Sequence, residues 1–322
     1  MKILITGGAG FIGSHLADRL IADGHDVTAV DDLSTGSIKN ISQHQQNSRF
    51  KLVVDTILNA VLMDEMIAQC DQIYHLAAAV GVKLIMNRPV ETLETNVKGT
   101  EMVLSIANKY KKKVLIASTS EVYGKIMNGN GPPPLREDMD RLMGATTKRR
   151  WAYACSKAFD EFLALAYYEK KKLPVIIARL FNTVGPRQTG QYGMVLPNFV
   201  QKALIGKPII IYGDGSQSRS FTHIADVVEC LPRLMMVPAA VGQVINVGNE
   251  EEVTIRDLAL MVKKMTASGS EIENISYDRA YGPGFEDMQR RSPDITKLRN
   301  LIAYEPQHDL QSIVQSVIDF YL

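Results

Sequence analysis

The sequence predicts an α/β protein, a doubly wound parallel sheet followed by a smaller C-terminal α/β region. Three observations predict it. Short apolar runs alternate with longer amphipathic stretches from the N-terminus to about Leu180, as in repeated strand–helix–strand units. A glycine-rich turn, Gly7-Gly-Ala-Gly-Phe-Ile-Gly13, joins the first run to the first amphipathic stretch. An acidic pair, Asp31-Asp32, closes the second run.

Lys2–Thr6 reads as the first strand, and an amphipathic helix then runs to about Ala22. The glycines satisfy Gly-x-Gly-x-x-Gly (Gly8, Gly10, Gly13) and Gly-x-x-Gly-x-x-Gly (Gly7, Gly10, Gly13). Between a strand and a helix they allow a tight turn and close backbone approach, so the helix N-terminus can hold a pyrophosphate. A glycine triplet also serves as a purely structural turn. The dinucleotide reading gives cofactor contacts to Gly7, Gly10, Phe11, Ile12 and Gly13. His25–Val30 is the second strand. Asp31 follows it directly, placed to accept from the adenosine ribose hydroxyls. Its charge repels a 2′-phosphate, which favours NAD over NADP. Asp32 either shares this role or caps a turn over Leu33–Asn40. Phe50–Val54 is the third strand, and Asp55 and Thr56 at its end either meet the adenine amino group or cap the next helix. Gln72–Leu76 is the fourth. Leu76, Ala77 and Ala78 let a ligand approach the backbone there. A helix from about Pro89 to Tyr110 carries Asn96, counted with the cofactor contacts. Lys111–Lys113 at its end suits the helix dipole and is a solvated run.

Val114–Ala117 is an apolar run of the kind buried in a parallel sheet. Ser118, Thr119, Ser120 and Glu121 follow without a break. Ligands of open α/β sheets bind at the carboxyl ends of the strands, so this polar end is a candidate for chemistry. Capping of a following helix is the other reading. Residues 125–148 break the pattern with Asn128-Gly-Asn-Gly-Pro-Pro-Pro134, and we expect a surface loop near the site, a possible lid. A helix then runs from about 150 to Lys171. Tyr153 and Lys157 are four residues apart and share its face. An ammonium beside a phenol lowers its pKa, which makes Tyr153 a general base. Otherwise the two are a solvated surface pair.

Leu173–Arg179 is the sixth strand. Beyond Leu180 the alternation loosens. Asn182–Arg187 is a polar loop, and Ile209–Tyr212 is a strand leading through a glycine turn to Arg219. Gln243–Val247 is another strand, and Val253–Met265 and Asp309–Tyr321 are helical. Tyr281–Arg291 is a loop closing on two arginines, whose forks suit a diphosphate or a carboxylate. We therefore expect a dinucleotide-binding domain over 1–180, with a segment returning near 220–247. Residues 181–322 form mainly the substrate domain.

A net charge of +1 points to no nucleic-acid or membrane partner. The cysteines, Cys70, Cys155 and Cys230, are few and scattered, which fits a reducing cytoplasm. No apolar run approaches the roughly 20 residues of a membrane span, and the N-terminus has no signal-peptide pattern. The histidines show no metal-ligand spacing and CxxC is absent, so no metal is expected.

Thr6–Gly13, Asp31, Ser118–Gly124, Tyr153/Lys157, Asn182–Arg187 and Gly213–Arg219 together resemble the extended short-chain dehydrogenase/reductase family, over essentially the whole chain. These are Rossmann-fold, NAD-dependent epimerases, dehydratases and decarboxylases of nucleotide sugars. Within the family, simple 4-epimerases usually carry Ser-Ser or Ser-Ala before Val-Tyr-Gly, and 4,6-dehydratases Thr-Asp-Glu. Thr119-Ser120-Glu121 resembles the UDP-glucuronate decarboxylases. So do Arg150-Trp151-Ala-Tyr153 and Tyr281-Gly-x-Gly-Phe-Glu-Asp with Arg291-Ser-Pro293.

The resemblance implies oxidation of a UDP-sugar at C4, loss of C6 as carbon dioxide, and return to UDP-xylose or release of the 4-keto pentose. Tyr153, assisted by Lys157, would take the 4-hydroxyl proton, with Thr119 holding that hydroxyl. Ser120, Glu121 and Arg291 would orient the carboxylate and deliver a proton to C5. Asn182, Arg187, Tyr212 and Arg219, with Arg291, would contact the substrate. A homodimer through the helices about 89–110 and 150–171 is also implied. The alternatives are a 4-epimerase of UDP-glucose or UDP-glucuronate, a 4,6-dehydratase, or a non-catalytic NAD-binding regulator. The last would carry a broken Tyr/Lys pair.

Overall fold

The structure is a computed structural model, and it describes residues 1–81, 86–125, 133–191, 193–282 and 287–322. The first half runs β1 (Lys2–Thr6), α1 (Phe11–Ala22), β2 (Asp26–Asp31), β3 (Phe50–Val54), α2 (Ala60–Gln69), β4 (Gln72–His75), α3 (Pro89–Tyr110), β5 (Lys113–Thr119), α4 (Ala152–Lys171) and β6 (Val175–Leu180). The second half runs β7 (Thr183–Val184), α5 (Val195–Leu204), β8 (Ile209–Tyr212), β9 (Ser218–Ser220), β10 (Thr222–His223), α6 (Ile224–Met236), β11 (Val244–Val247) and β12 (Glu252–Thr254). It closes with α7 (Ile255–Met265), β13 (Ile272–Ile275), α8 (Tyr277–Tyr281), β14 (Arg290–Arg291), α9 (Thr296–Ile302) and α10 (Leu310–Tyr321).

The central sheet has seven strands in the order β11-β6-β5-β4-β1-β2-β3, and every pairing in it is parallel. Its inner strands are buried on both faces, which is why they read as continuous apolar runs. Ile3, Ile5 and Val27 pack with α1, α6 and α9 on one face. Leu4, Val30, Val114, Ile116 and Ile177 pack with α2, α3 and α4 on the other. The chain returns to this sheet twice after Leu180, through α6 and β11 and again through Ile295–Tyr304. A separate core joins α5, α7, α10 and β8.

Two differences from the sequence expectations have clear causes. The strand at Val114 continues through Ser118 and Thr119, because their backbones pair with Arg179 and Leu180 of β6 whatever their side chains. Helix α6 was hidden by Pro232 inside it, a residue that ordinarily interrupts a helix. Its apolar face is nonetheless fully buried. Of the expected loop over 125–148, residues 126–132 lie outside the described residues, as do residues 283–286 of the expected loop Tyr281–Arg291. Among the described residues no helix is long and apolar enough to cross a membrane.

Candidate active site

A cavity of about 1200 Å³ runs along the carboxyl ends of the sheet strands and out over the second half of the chain. Its inner end is the glycine turn. Gly7 has φ +73°, and a Cβ there would stand 2.8 Å from the Ala77 amide nitrogen. A Cβ on Gly13 would run into the Gly7 carbonyl. Both positions therefore need glycine for α1 to pack against the ends of β1 and β4. Gly10 is the N-cap of α1, and the first-turn amides of a helix have no carbonyl of their own to meet. Gly7, Gly10, Phe11, Ile12 and Gly13 all line the cavity. This cradle fits a pyrophosphate.

Asp31 is buried on the same wall and accepts hydrogen bonds from the Ala9 and Leu33 amides, both at 2.9 Å. Burial pushes its carboxyl up, against those bonds. Asp32 accepts from the Ser34 amide and hydroxyl, a local turn cap. Asp55 accepts from the Thr56 amide at 2.7 Å and from Asn59, the N-cap of α2. The Thr56 hydroxyl accepts from Leu58. These three cap turns, as their alternative reading had it, while also lining the cavity. Leu76, Ala77 and Ala78 line the cavity beside the glycine turn. Asn96 is a correction. It is not on the wall, because its side chain accepts from the Ala79 amide at 2.8 Å and so pins that backbone from behind.

The polar end of β5 serves two purposes. Ser118 lines the cavity and its hydroxyl donates to Glu161 at 2.6 Å. Thr119 accepts from the Glu121 amide and caps a short 3-10 helix, Ser120–Tyr123. Thr119, Ser120 and Glu121 all line the cavity, as does Tyr153, and the Thr119 side chain works to lower the Tyr153 phenol.

Two expectations about this cluster need correction. The Tyr153 phenol is not depressed. The Lys157 ammonium donates to the Asp160 carboxylate at 2.9 Å. Burial, then Glu121 and Asp160, push Tyr153 well above the usual phenol range. Nor is Glu121 a proton donor. Burial would push it up, but the Arg150 and Arg291 guanidiniums hold it well below the usual carboxylate range. Arg150 is 2.5 Å away, and Arg291 pairs with the other oxygen. Glu121 is therefore ionised and can only accept.

Asn182 accepts from Arg291 and donates to the Ser220 carbonyl at 2.7 Å. Arg219 pairs with Asp287 at 2.9 Å, and Tyr212 packs edge-on against Tyr281. Arg187 also lines the cavity, but its guanidinium pairs with Asp18 of α1 at 2.7 Å. Sequence reasoning named Asp287 and Arg150 only as parts of motifs, with no role for either. Asp287 stands between Arg219 and Arg150, 3.6 Å from the latter. Among the described residues, the carboxylates paired with Arg150, Arg219 and Arg291 are Glu121 and Asp287, an arrangement suited to an anionic ligand.

The family model for GDP-mannose 4,6 dehydratase matches residues 4–317. A UDP-N-acetyl-alpha-D-glucosaminuronate decarboxylase of Bacillus cytotoxicus is 42% identical over 322 residues, covering 99% of this chain and 97% of that protein. UDP-glucuronic acid decarboxylase 1 of Xenopus tropicalis is 36% identical over 322 residues, covering 99% of this chain and 72% of that protein. Among solved structures, UDP-glucuronic acid 4-epimerase from Bacillus cereus, in complex with UDP-glucuronic acid and NAD, superposes with a TM-score of 0.89. It is 28% identical, and 99% of this chain and 98% of that one are covered. With a glycine cradle, a buried Tyr153 beside Thr119 and relatives alike from end to end, the chain belongs to the extended short-chain dehydrogenase/reductase family, in its GDP-mannose 4,6-dehydratase group.

Proposed function

We propose that the protein is an NAD-dependent decarboxylase of a UDP-linked uronic acid. One observation carries this reading. The ionised Glu121 is held between Arg150 and Arg291 on the same wall as Tyr153, Thr119 and Ser120. That wall can both take a proton from a sugar hydroxyl and bind a carboxylate.

Gly7, Gly10, Phe11, Ile12, Gly13 and Asp31 would hold the cofactor, which when bound would supply the hydride acceptor for oxidation at sugar C4. Tyr153, in its phenolate form, would remove the proton of the 4-hydroxyl, and Thr119 would hold that oxygen. The resulting ketone is β to the C6 carboxylate. The C5–C6 bond then breaks, with its electron pair flowing into the ketone and carbon dioxide leaving. Arg291 and Arg150 orient the carboxylate, and Glu121 positions both guanidiniums. A proton must then be added at C5, and Ser120 would deliver it. Asn182, Tyr212, Arg187 and Arg219 contact the remainder of the nucleotide sugar.

UDP-glucuronate is the substrate that the motifs favour. The 42% identity to an N-acetylglucosaminuronate enzyme supports a second reading, the 2-acetamido analogue. The test is incubation of the pure protein with NAD and each UDP-uronate, following carbon dioxide and the sugar product by NMR. Release of carbon dioxide with a UDP-pentose or its 4-keto form is expected, and the preferred sugar sets the substrate. UDP-galacturonate without carbon dioxide would establish an epimerase instead.

The working form in this reading is a cytoplasmic homodimer. Three free cysteines support the compartment. Exposed apolar side chains on α3 and α4, among them Val90, Phe159 and Phe162, support the dimer.

A further inference from the structure

We propose that Asp160 is a positioning residue of this active site, its carboxylate holding the Lys157 ammonium in place and setting the charge balance of the Tyr153–Lys157 pair. The proposal rests on Tyr153 being the base of the reaction described above.

Asp160 and Lys157 are both buried, at 0% and 2% exposure. Their Oδ2 and Nζ are 2.9 Å apart. They are three residues apart on α4, so one helix face presents both. The other oxygen of Asp160, Oδ1, is buried with no hydrogen-bond partner among the described residues. Lys157 is therefore the main group compensating this charge, and the dependence is mutual. Two buried charges persist together only because each neutralises the other.

The pair is also anchored from outside α4. Thr100 of α3 stabilises the Asp160 carboxylate, and the Thr100 hydroxyl lies 3.2 Å from Nε2 of His75, at the end of β4. Nδ1 of His75 lies 2.8 Å from the Thr6 hydroxyl, which accepts from the Ala77 amide behind the glycine turn. Lys157 is thus tied to the strand ends that hold the dinucleotide cradle. Of these residues, sequence reasoning assigned a role only to Lys157 and Ala77, with Thr6 named as the start of the glycine motif.

The charged and titratable neighbours are few. Asp160 faces Lys157 and Glu161 on its own helix, and neutral His75 lies beyond Thr100. Tyr153 faces Glu121 and Arg150. Glu161 is itself bound to Arg179 at 2.7 Å. A negative charge raises the pKa of every group near it. Removing that of Asp160 lowers the Tyr153 phenol, so the limb of the pH profile that the phenol sets moves toward acid.

The test compares wild type, Asp160→Asn and Asp160→Glu, with Asp160→Ser as a second neutral variant should Asn fail to fold. Two quantities are read. One is kcat/KM against pH with the UDP-uronate. The other is the phenolate absorbance of the protein without substrate, taken as the difference from the same protein carrying Tyr153→Phe. In the neutral variants both midpoints should fall by about 1 pH unit. Asp160→Glu should keep the wild-type midpoints at a lower kcat. Loss of amplitude with no shift in the neutral variants overturns the proposal, as does an equal shift in Asp160→Glu. If wild type releases no carbon dioxide, the proposed function falls, and the phenol difference alone decides the role of Asp160 by the same criterion.

Discussion

The Glu121 carboxylate lies 2.5 Å from the Arg150 guanidinium, inside the cavity wall and nearly closed to solvent. Arg291 grips the same carboxylate from a strand formed 170 residues later in the chain. The three groups make one unit. Its net charge is positive, and its acid cannot act as a proton source.

Replacing Glu121 with Gln should therefore cost stability as well as chemistry. The two guanidiniums would lose their shared counter-charge in a buried place, a loss of about 3 kcal/mol. Because the folded-state pKa of Glu121 is depressed, its stabilisation is present above the ordinary carboxylate pKa of about 4.3. It is lost as pH falls toward the folded value. Urea unfolding at neutral pH and below pH 4 should show a wide gap between wild type and variant in the first case and a narrow one in the second. In turnover, carbon dioxide release should drop more than C4 oxidation. Equal loss of both would remove Glu121 from carboxylate positioning.

His75 gives a different acid signature. Burial, and secondarily the Lys157 charge, lower its pKa to about 3. An unfolded histidine titrates near 6.5. Between these values the unfolded chain binds the proton and the folded one does not, so stability rises with pH in that window. It is fully present above about 6.5 and is lost as pH falls. Asn in place of His75 removes this effect. Between pH 7 and pH 5, wild type should lose about 2 kcal/mol more than His75→Asn in urea melts. Parallel losses would mean that His75 is protonated in the fold.

The cradle makes a steric prediction. Gly13→Ala places a methyl group against the Gly7 carbonyl, and backbone cannot move aside as a side chain can. The cost should be about 3 kcal/mol, and NAD binding by calorimetry should be lost even where the variant still folds. Retained binding at wild-type affinity would show that the α1 turn is not the pyrophosphate site.

What the sequence made legible was local. Strand ends, the glycine turn and the shared face of Tyr153 and Lys157 follow from spacing alone, because backbone periodicity decides them. The charge state of that pair did not follow. It depends on Asp160, visible three residues on but meaningful only once both side chains are buried. Glu121 was found by its place after β5, yet its role was misjudged. Arg150 and Asp287 reach it or its partners from distant segments, and no short-range pattern marks such pairs. Helices α5 and α6 were missed because Pro197 and Pro232 interrupt the helical signal.

Phe162 on α4 is 63% exposed, covered on one side only by the Arg141 guanidinium, 4.6 Å from the ring centroid. Phe159, three residues before it, and Val90 on the neighbouring α3 are also exposed. In a twofold dimer each residue of such a patch is used twice. Burying one Phe162 ring from each copy contributes about 4 kcal/mol, or roughly a thousandfold in dissociation constant. Light scattering behind gel filtration should give a dimer for wild type and a monomer for Phe162→Glu at micromolar concentration. Circular dichroism should be unchanged, because the ring lies outside the cores on either face of the sheet. A wild-type monomer, or a variant that still dimerises with the same affinity, would place the interface elsewhere or remove it.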